Sequence, residues 1–358
     1  MRWKMAASYS KRTLYVGSFL NSDNAPLYRC GFDCNSGEIE ILEECRTSRP
    51  AWLCKAGENG GVFFALEAEK IDGVYGGGIG HFTDKMQSPR ILNIGAVGPC
   101  HVCEDSGNIF LSCYKEGALV QVKYLSDAFS QDVKIIHHKG SGVNPVRQNM
   151  PHPHFSLFTP DGKFLAVMDL GLDKILLYPY TKEEGIVGEP MHYSAPAGSG
   201  PRHAVFSRDG KYLYVVTEMG GTVLTYEYNG AGGLKLIHEL AVMLESEIGG
   251  KPQSAAIRLT PDGRGLIVTE RRSGSIVFFS LDENGKPTRL GVIKTEACPR
   301  DAVFSPDGKW LICACQQADA LCVYSYEEES KETISERVSL KACLKLPENS
   351  APCCILFN

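Results

Sequence analysis

Short apolar runs alternate with tight polar turns along this chain, and one such unit occurs four times. Thr159-Pro160-Asp161-Gly162 recurs as Ser207-Arg208-Asp209-Gly210, Thr260-Pro261-Asp262-Gly263 and Ser305-Pro306-Asp307-Gly308, with the aspartates spaced by 48, 53 and 45 positions. Self-similarity at a period of about 50, built from short strands and turns, is the mark of β-propeller blades. The copy over residues 201–242 serves as a template. Residues 202–206 alternate as a strand, 212–217 and 222–228 are rich in β-branched and aromatic residues, and 234–242 reads as an edge strand. Innermost strands are expected near Trp52, His101, His154, Arg202, Ala255, Arg300 and Cys353, which makes seven blades. The last has only 352–357 of its own, so 13–17, 27–30 and 38–43 are expected to complete it. That pairs the two ends of the chain (about 12–46 with 351–358) and removes open sheet edges. The predicted fold is therefore an all-β, seven-bladed propeller of four-stranded antiparallel blades, a single domain over 1–358. Glu58-Asn59-Gly60 and Asp105-Ser106-Gly107 mark degenerate turns in the two earliest full blades. Residues 75–86, rich in glycine, and 126–150, long and polar, are expected to be loops over one face.

Composition narrows the class of function. Net charge is −5 over 358 residues, pI is near 6.0, and Lys and Arg are scattered. Nothing there matches the electrostatic footprint of a nucleic-acid or anionic-membrane binder. No apolar stretch reaches the ~20 residues of a membrane span. Residues 1–11 lack an apolar h-region, which predicts a cytoplasmic protein. Fourteen cysteines are expected to be reduced, because several lie in apolar strand runs and a chain of this size needs no covalent staples. Cys100-x-x-Cys103 sits within a strand, not at a helix start, and so does not read as a redox motif. Adjacent Cys353 and Cys354 should point to opposite faces.

Aligning the repeats locates candidate chemistry. The first strand of a blade begins at the end where the second finishes, so residues seven before and nine after each turn aspartate share one rim. The former are Gly98, His154, Arg202, Ala255 and Arg300; the latter are Tyr114, Leu170, Glu218, Arg271 and Gln316. A His, three Arg, a Glu, a Gln and a Tyr converging on one axis suit a bound anion. Arg147-Gln148 lies in the long loop and would reach across that rim. His152-Pro153-His154 lacks the further ligands a metal site needs, so no metal is expected. His152 reads as a hydrogen-bonding residue beside the channel, His203 as packing inside the blade, and Asp169-Leu170-Gly171 as a turn orienting arginines. Gly76-Gly77-Gly78 lacks the lysine and helix of a phosphate-binding loop.

These segments resemble the lactonase family of seven-bladed propellers, which includes propeller-type 6-phosphogluconolactonases and a fungal muconate-lactonizing enzyme. The resemblance runs nearly end to end. It is carried by Leu14-Tyr15-Val16-Gly17, Pro151-His152-Pro153-His154, Asp169-Leu170-Gly171-Leu172-Asp173, Gly200-Pro201-Arg202-His203-Ala204-Val205-Phe206 with Thr217-Glu218, Thr269-Glu270-Arg271, and Pro299-Arg300-Asp301. It implies a catalytic set of His154, Arg202, Glu218 and Arg271. Arg147, Gln148, His152, Asp169, Arg300 and Gln316, read from the rim and its flanking loop, are the substrate-binding candidates. The chain departs from the family at Ser112-Cys113-Tyr114-Lys115-Glu116-Gly117, and at Glu270 and Arg272 on either side of Arg271.

The implied activity is metal-independent hydrolysis of a sugar lactone without cofactor, 6-phosphogluconolactone first, and second a lactonase or muconate-type lactonizing reaction on a different carboxylated or unphosphorylated substrate. The implied partner is thus a small anionic lactone. His154 suits proton transfer, Glu218 would share that role or hold Arg202, and Arg202 and Arg271 would stabilise the oxyanion. Arg147, Arg300 or Arg272 would meet a phosphate. A non-catalytic binding propeller is the third reading, though Trp-Asp and kelch signatures are missing.

Overall fold

A computed structural model describes residues 11–57, 60–83, 86–327 and 333–358. The expected turn residues Glu58 and Asn59 and the first ten residues lie outside the described set. Seven antiparallel sheets form a propeller ring. In chain order, blades 1 to 6 cover residues 50–93, 99–137, 153–194, 201–241, 254–294 and 299–345. The seventh joins Pro352–Phe357 to Lys11–Ser18, Ala25–Asp33 and Ile39–Thr47. Leu14 pairs with Phe357 and Val16 with Ile355, so the two ends of the chain zip one blade together as expected.

The recurring turn has a simple cause. In all four copies the Ser or Thr hydroxyl donates to the aspartate, at 2.6 Å for Thr159–Asp161, 2.7 Å for Ser207–Asp209 and 2.6 Å for both Thr260–Asp262 and Ser305–Asp307. The closing glycine sits at φ between 66° and 75°, where other residues are strained. Tyr228 of blade 4 then donates to Asp161 of blade 3, and Tyr180 of blade 3 to Asp105 of blade 2, so turns also clamp neighbouring blades.

A sheet face cannot stay in water, and each blade buries its faces against its neighbours. Among the described residues there are seven apolar clusters, one between every pair of adjacent blades. Leu14, Val16, Tyr28 and Phe32 meet Trp310, Ile312 and Val323 where the ring closes, and the Trp310 indole donates to the Cys34 carbonyl at 2.7 Å.

Three expectations change. Within 75–86, Gly78–Phe82 is a buried blade strand rather than a loop. Its glycines masked it, and Gly80 is needed because a Cβ there would strike the Phe64 ring. Within 126–150, Lys134–His137 is the outermost strand of blade 2, and a looped segment follows it. The cysteines are not all reduced: Cys322 and Cys343 stand opposite one another on paired strands and are joined as a disulfide, leaving twelve free. Direct cross-strand pairing supplied the proximity that linear spacing does not show.

Leu14→Ala is expected to cost about 2–5 kcal/mol, read as a lower urea midpoint. Leu340→Ala, at a position 60% exposed on an outer strand, should change stability by less than about 0.5 kcal/mol. Unfolded without reductant, the chain should present twelve thiols to a thiol reagent, and fourteen after reduction.

Candidate active site

One backbone bond repeats in all seven blades. The residue after the second strand donates its N–H to the carbonyl of the residue just ahead of, or opening, the innermost strand. Examples are Glu67 to Arg49 at 3.0 Å, Tyr114 to Gly98 at 2.9 Å, Glu218 to Gly200 at 2.8 Å, Arg271 to Gln253 at 3.2 Å and Gln316 to Cys298 at 2.9 Å. Leu170 and Phe19 complete this ring at one mouth of the channel. Each innermost strand is then irregular, with register shifts between Pro99 and His101, Pro153 and Phe155, Pro201 and His203, and Pro299 and Asp301. A bulge inserts an unpaired residue and re-aims its side chain. Cys100, His154, Arg202 and Arg300 are these unpaired residues.

Glu218 organises one side of the mouth. Its Oε1 takes Arg147 Nη2 at 2.6 Å, and its Oε2 takes Arg202 Nε at 3.1 Å and Arg271 Nη2 at 2.8 Å. Burial alone would raise its carboxyl, but the guanidiniums of Arg271, Arg202 and Arg147 hold it well below the ordinary carboxylate range. Arg202 is only 2% exposed, and Nη1 donates to the Ala255 carbonyl at 2.8 Å and to His203 Nε2 at 3.0 Å. Burial, then Arg271 and Arg300, push its guanidinium down to about 9, still charged at neutral pH. Arg271 Nε is held by the Gln253 carbonyl at 3.0 Å.

His203 does not point into the blade as alternation predicts. The bulge turns it towards the axis, where Trp52, His101, Phe155 and His203 pack with ring centroids 4.0–5.1 Å apart along their closest contacts. This cluster floors the mouth and presents His203 to Arg202 as an acceptor. His154 lies at the edge of it, 5.3 Å from His203 and 5.7 Å from Tyr114 by ring centroid, with Nδ1 buried and unpartnered. Burial, then Arg202, holds its imidazole well below 6.5, so it is neutral at pH 7.

The remaining sequence candidates divide. Arg147 reaches across as expected and also donates to Tyr114 Oη at 3.4 Å. Arg300 lies 3.7 Å from the Phe19 ring centroid and donates to Gln316 at 3.3 Å, so both line the mouth. Gln148 and Asp169 do not contact a ligand space, because both are fully buried with their polar atoms engaged. Gln148 donates to the Leu170 carbonyl and Asp173, while Asp169 accepts from the His152 and Leu172 N–H groups and from His138. They shape the loop. His152 stacks on Tyr114 and bonds its carbonyl at 2.8 Å, a positioning role. Arg272 is exposed beside Gly250. Among the described residues no three His, Cys, Asp or Glu side chains group as metal ligands.

Glu67, Arg49, Lys115 and Phe19 are the rim residues that sequence reasoning missed. Glu58 stands where other blades have a turn aspartate, and nine positions on is Glu67. Counting from that degenerate turn would have found it.

Comparison with known proteins places this geometry. The model of a family described as Lactonase, 7-bladed beta-propeller matches residues 13–344. A 6-phosphogluconolactonase of Bacillus subtilis (strain 168) is 30% identical over 300 residues, covering 81% of this chain and 84% of the relative. The crystal structure of a putative 6-phosphogluconolactonase from Bacteroides fragilis NCTC 9343 superposes with a TM-score of 0.86 at 27% identity, covering 99% of each chain. A periplasmic gluconolactonase from Pseudomonas aeruginosa superposes with a TM-score of 0.85 at 25% identity, covering 97% of this chain and 99% of that one.

Glu218→Gln leaves three guanidiniums without their shared counter-charge and is expected to cost about 3–5 kcal/mol at neutral pH. Because the folded carboxyl titrates below its ordinary 4.5, its stabilisation is complete above that value and is lost as pH falls through the folded value. The gap between wild type and variant should therefore be constant near neutrality and narrow only on acidification below about 4.5, checked by urea unfolding across a pH series.

Proposed function

Because this chain belongs to the lactonase family of seven-bladed β-propellers, we propose that its arginine-lined mouth hydrolyses a sugar lactone, with 6-phosphogluconolactone as substrate and the oxidative pentose phosphate route as context. The observation that carries this reading is the convergence of Arg202, Arg271 and Arg147 on Glu218 beside a neutral His154.

Ester hydrolysis needs water deprotonated as it attacks, donors aimed at the carbonyl oxygen, and a proton for the departing oxygen. His154, uncharged at neutral pH, takes the proton from water. Arg202 has Nε and Nη1 engaged, and Arg271 has Nε and Nη2 engaged. Arg202 Nη2 and Arg271 Nη1 are the donors left for the developing oxyanion. They are already fixed by Glu218, His203 and backbone carbonyls, so little reorganisation accompanies the charge. Arg300, restrained on Phe19, offers the fork for a phosphate. No step calls on a metal or a cofactor. A phosphorylated substrate and twelve free cysteines support a cytoplasmic setting.

An unphosphorylated lactone is the second reading, favoured by the partial engagement of Arg300 with Gln316 and by the likeness to a gluconolactonase. Hydrolysis of freshly made 6-phosphogluconolactone and of glucono-δ-lactone, each with and without chelator, separates the two. Arg202→Lys should lose about 10²–10³ in kcat through the missing bidentate fork, and His154→Ala about 10²–10⁴. Since burial lowers His154, activity should rise with pH through a value below 6.5 and hold through neutrality. Turnover of Arg202→Lys within threefold of wild type would remove the oxyanion role, and a wild type that accelerates neither lactone would end the reading.

A further inference from the structure

Two carboxylates occupy the same rung of the ring. Glu67 donates its N–H to the Arg49 carbonyl just as Glu218 donates to Gly200, so blades 1 and 4 present an acid at equivalent positions. In a ring of seven, blades 1 and 4 are three steps apart, on opposite sides of one mouth. Arg49, which is bonded to Glu67, and Arg300 both lie over the Phe19 ring, and Arg300 also acts on Arg202, the partner of Glu218, so the two acids border one mouth.

Their surroundings differ in kind. Both oxygens of Glu218 are taken by guanidiniums. Glu67 has a single long bond, 3.3 Å from Arg49 Nη1 to Oε1, while Oε2 is buried and accepts no hydrogen bond. Arg49 itself is held at φ 36°, in the left-handed region that Gly98 and Gly200 occupy in other blades.

We infer that Glu67 is a further catalytic carboxyl of this site, giving its proton to the ring oxygen as the lactone opens, while Glu218 is the fixed counter-ion of the arginines. The inference rests on the lactone-hydrolysing reading. In the first step His154 takes a proton from water as its oxygen bonds to the carbonyl carbon. In the second, the C–O ring bond breaks and the ring oxygen takes the Glu67 proton. His154 then returns its proton to Glu67 through solvent, and the product acid ionises, so one lactone and one water give a hydroxy-carboxylate and one proton.

The charged groups facing Glu67 are Arg49 from its own blade, Arg300 from blade 6 and Lys115 from blade 2. Burial outweighs all three and raises its carboxyl, the opposite of Glu218. An anionic substituent settling on Arg300 would cancel part of the opposing charge and favour the protonated acid further. Two carboxyls driven apart by environment is the usual layout of acid–base sites.

The test is Glu67→Gln, which keeps size and an acceptor for Arg49 but cannot give a proton, with Glu67→Asp as a second, still titratable variant. Both are assayed on 6-phosphogluconolactone, on glucono-δ-lactone and on p-nitrophenyl acetate, whose leaving group needs no proton. Wild-type hydrolysis of a lactone establishes the underlying activity independently of either variant. Glu67→Gln should lose about 10²–10⁴ in kcat on lactones with KM within twofold, lose the limb that falls towards alkaline pH, and keep p-nitrophenyl acetate turnover. Glu67→Asp should regain part of the loss and keep the limb. Lactone kcat of Glu67→Gln within threefold of wild type overturns the inference. So does an equal loss on all three substrates, or an unchanged pH profile, since a purely structural Glu67 predicts those.

Discussion

A flat, regularly paired innermost strand would send alternate side chains into the blade and the channel, and the mouth would receive one residue per blade. The bulge near the start of these strands breaks that alternation and turns successive residues towards the axis. Arg202 and His203 are neighbours in sequence and still touch through their side chains, which regular pairing forbids. Everything else about the site follows from that distortion. It yields an upper layer of polar residues, a lower floor of packed rings, and a hydrogen bond from one layer to the other.

The floor also sets the electrostatics. Trp52, Phe155 and neutral imidazoles lie beneath the arginines, so little solvent screens them from below. Charges interact several-fold more strongly at such sites than in water. Glu218 is accordingly ionised and Arg202 is stable only with partners on Nε and Nη1. A lone buried guanidinium would be costly. Arg49, Arg147, Arg202, Arg271 and Arg300 outnumber the two acids Glu67 and Glu218, which leaves the mouth positive and favours an anion there despite a chain whose overall charge is negative.

The repeat made the architecture legible because its cause is local. A hydroxyl, an aspartate and a left-handed glycine define the turn wherever they stand together, as at Thr159, Asp161 and Gly162. Counting from those aspartates put His154, Arg202, Glu218, Arg271 and Arg300 on one rim, and that is where they lie. What escaped was whatever depends on departures from the repeat or on the third dimension. Gly78–Phe82 hid because Phe64 packs over Gly80. His203 was assigned to the wrong face because a bulge has no sequence mark. Gln148 and Asp169 share a loop and a turn with residues that line the mouth, and only burial distinguishes those that brace from those that border it. Glu67 was lost with a degenerate turn, and the Cys322–Cys343 bond with a pairing that spacing cannot reveal.

Seven near-identical rungs explain why this site can be asymmetric at modest structural expense. Each rim residue is fixed by the same backbone bond whatever its side chain, so Phe19, Glu67, Tyr114, Leu170, Glu218, Arg271 and Gln316 are interchangeable to the fold and distinct to a ligand. Arg49, Cys298 and Ala351 each hold a left-handed conformation beside a proline where Gly98 and Gly200 do so freely, a strain of about 1–3 kcal/mol apiece. Cores between all neighbouring blades offset such strain, since a single buried leucine contributes about 1.5–3 kcal/mol. The ring thus supplies excess stability evenly and lets chemistry concentrate unevenly, with opposite acids at blades 1 and 4 and arginines on both sides.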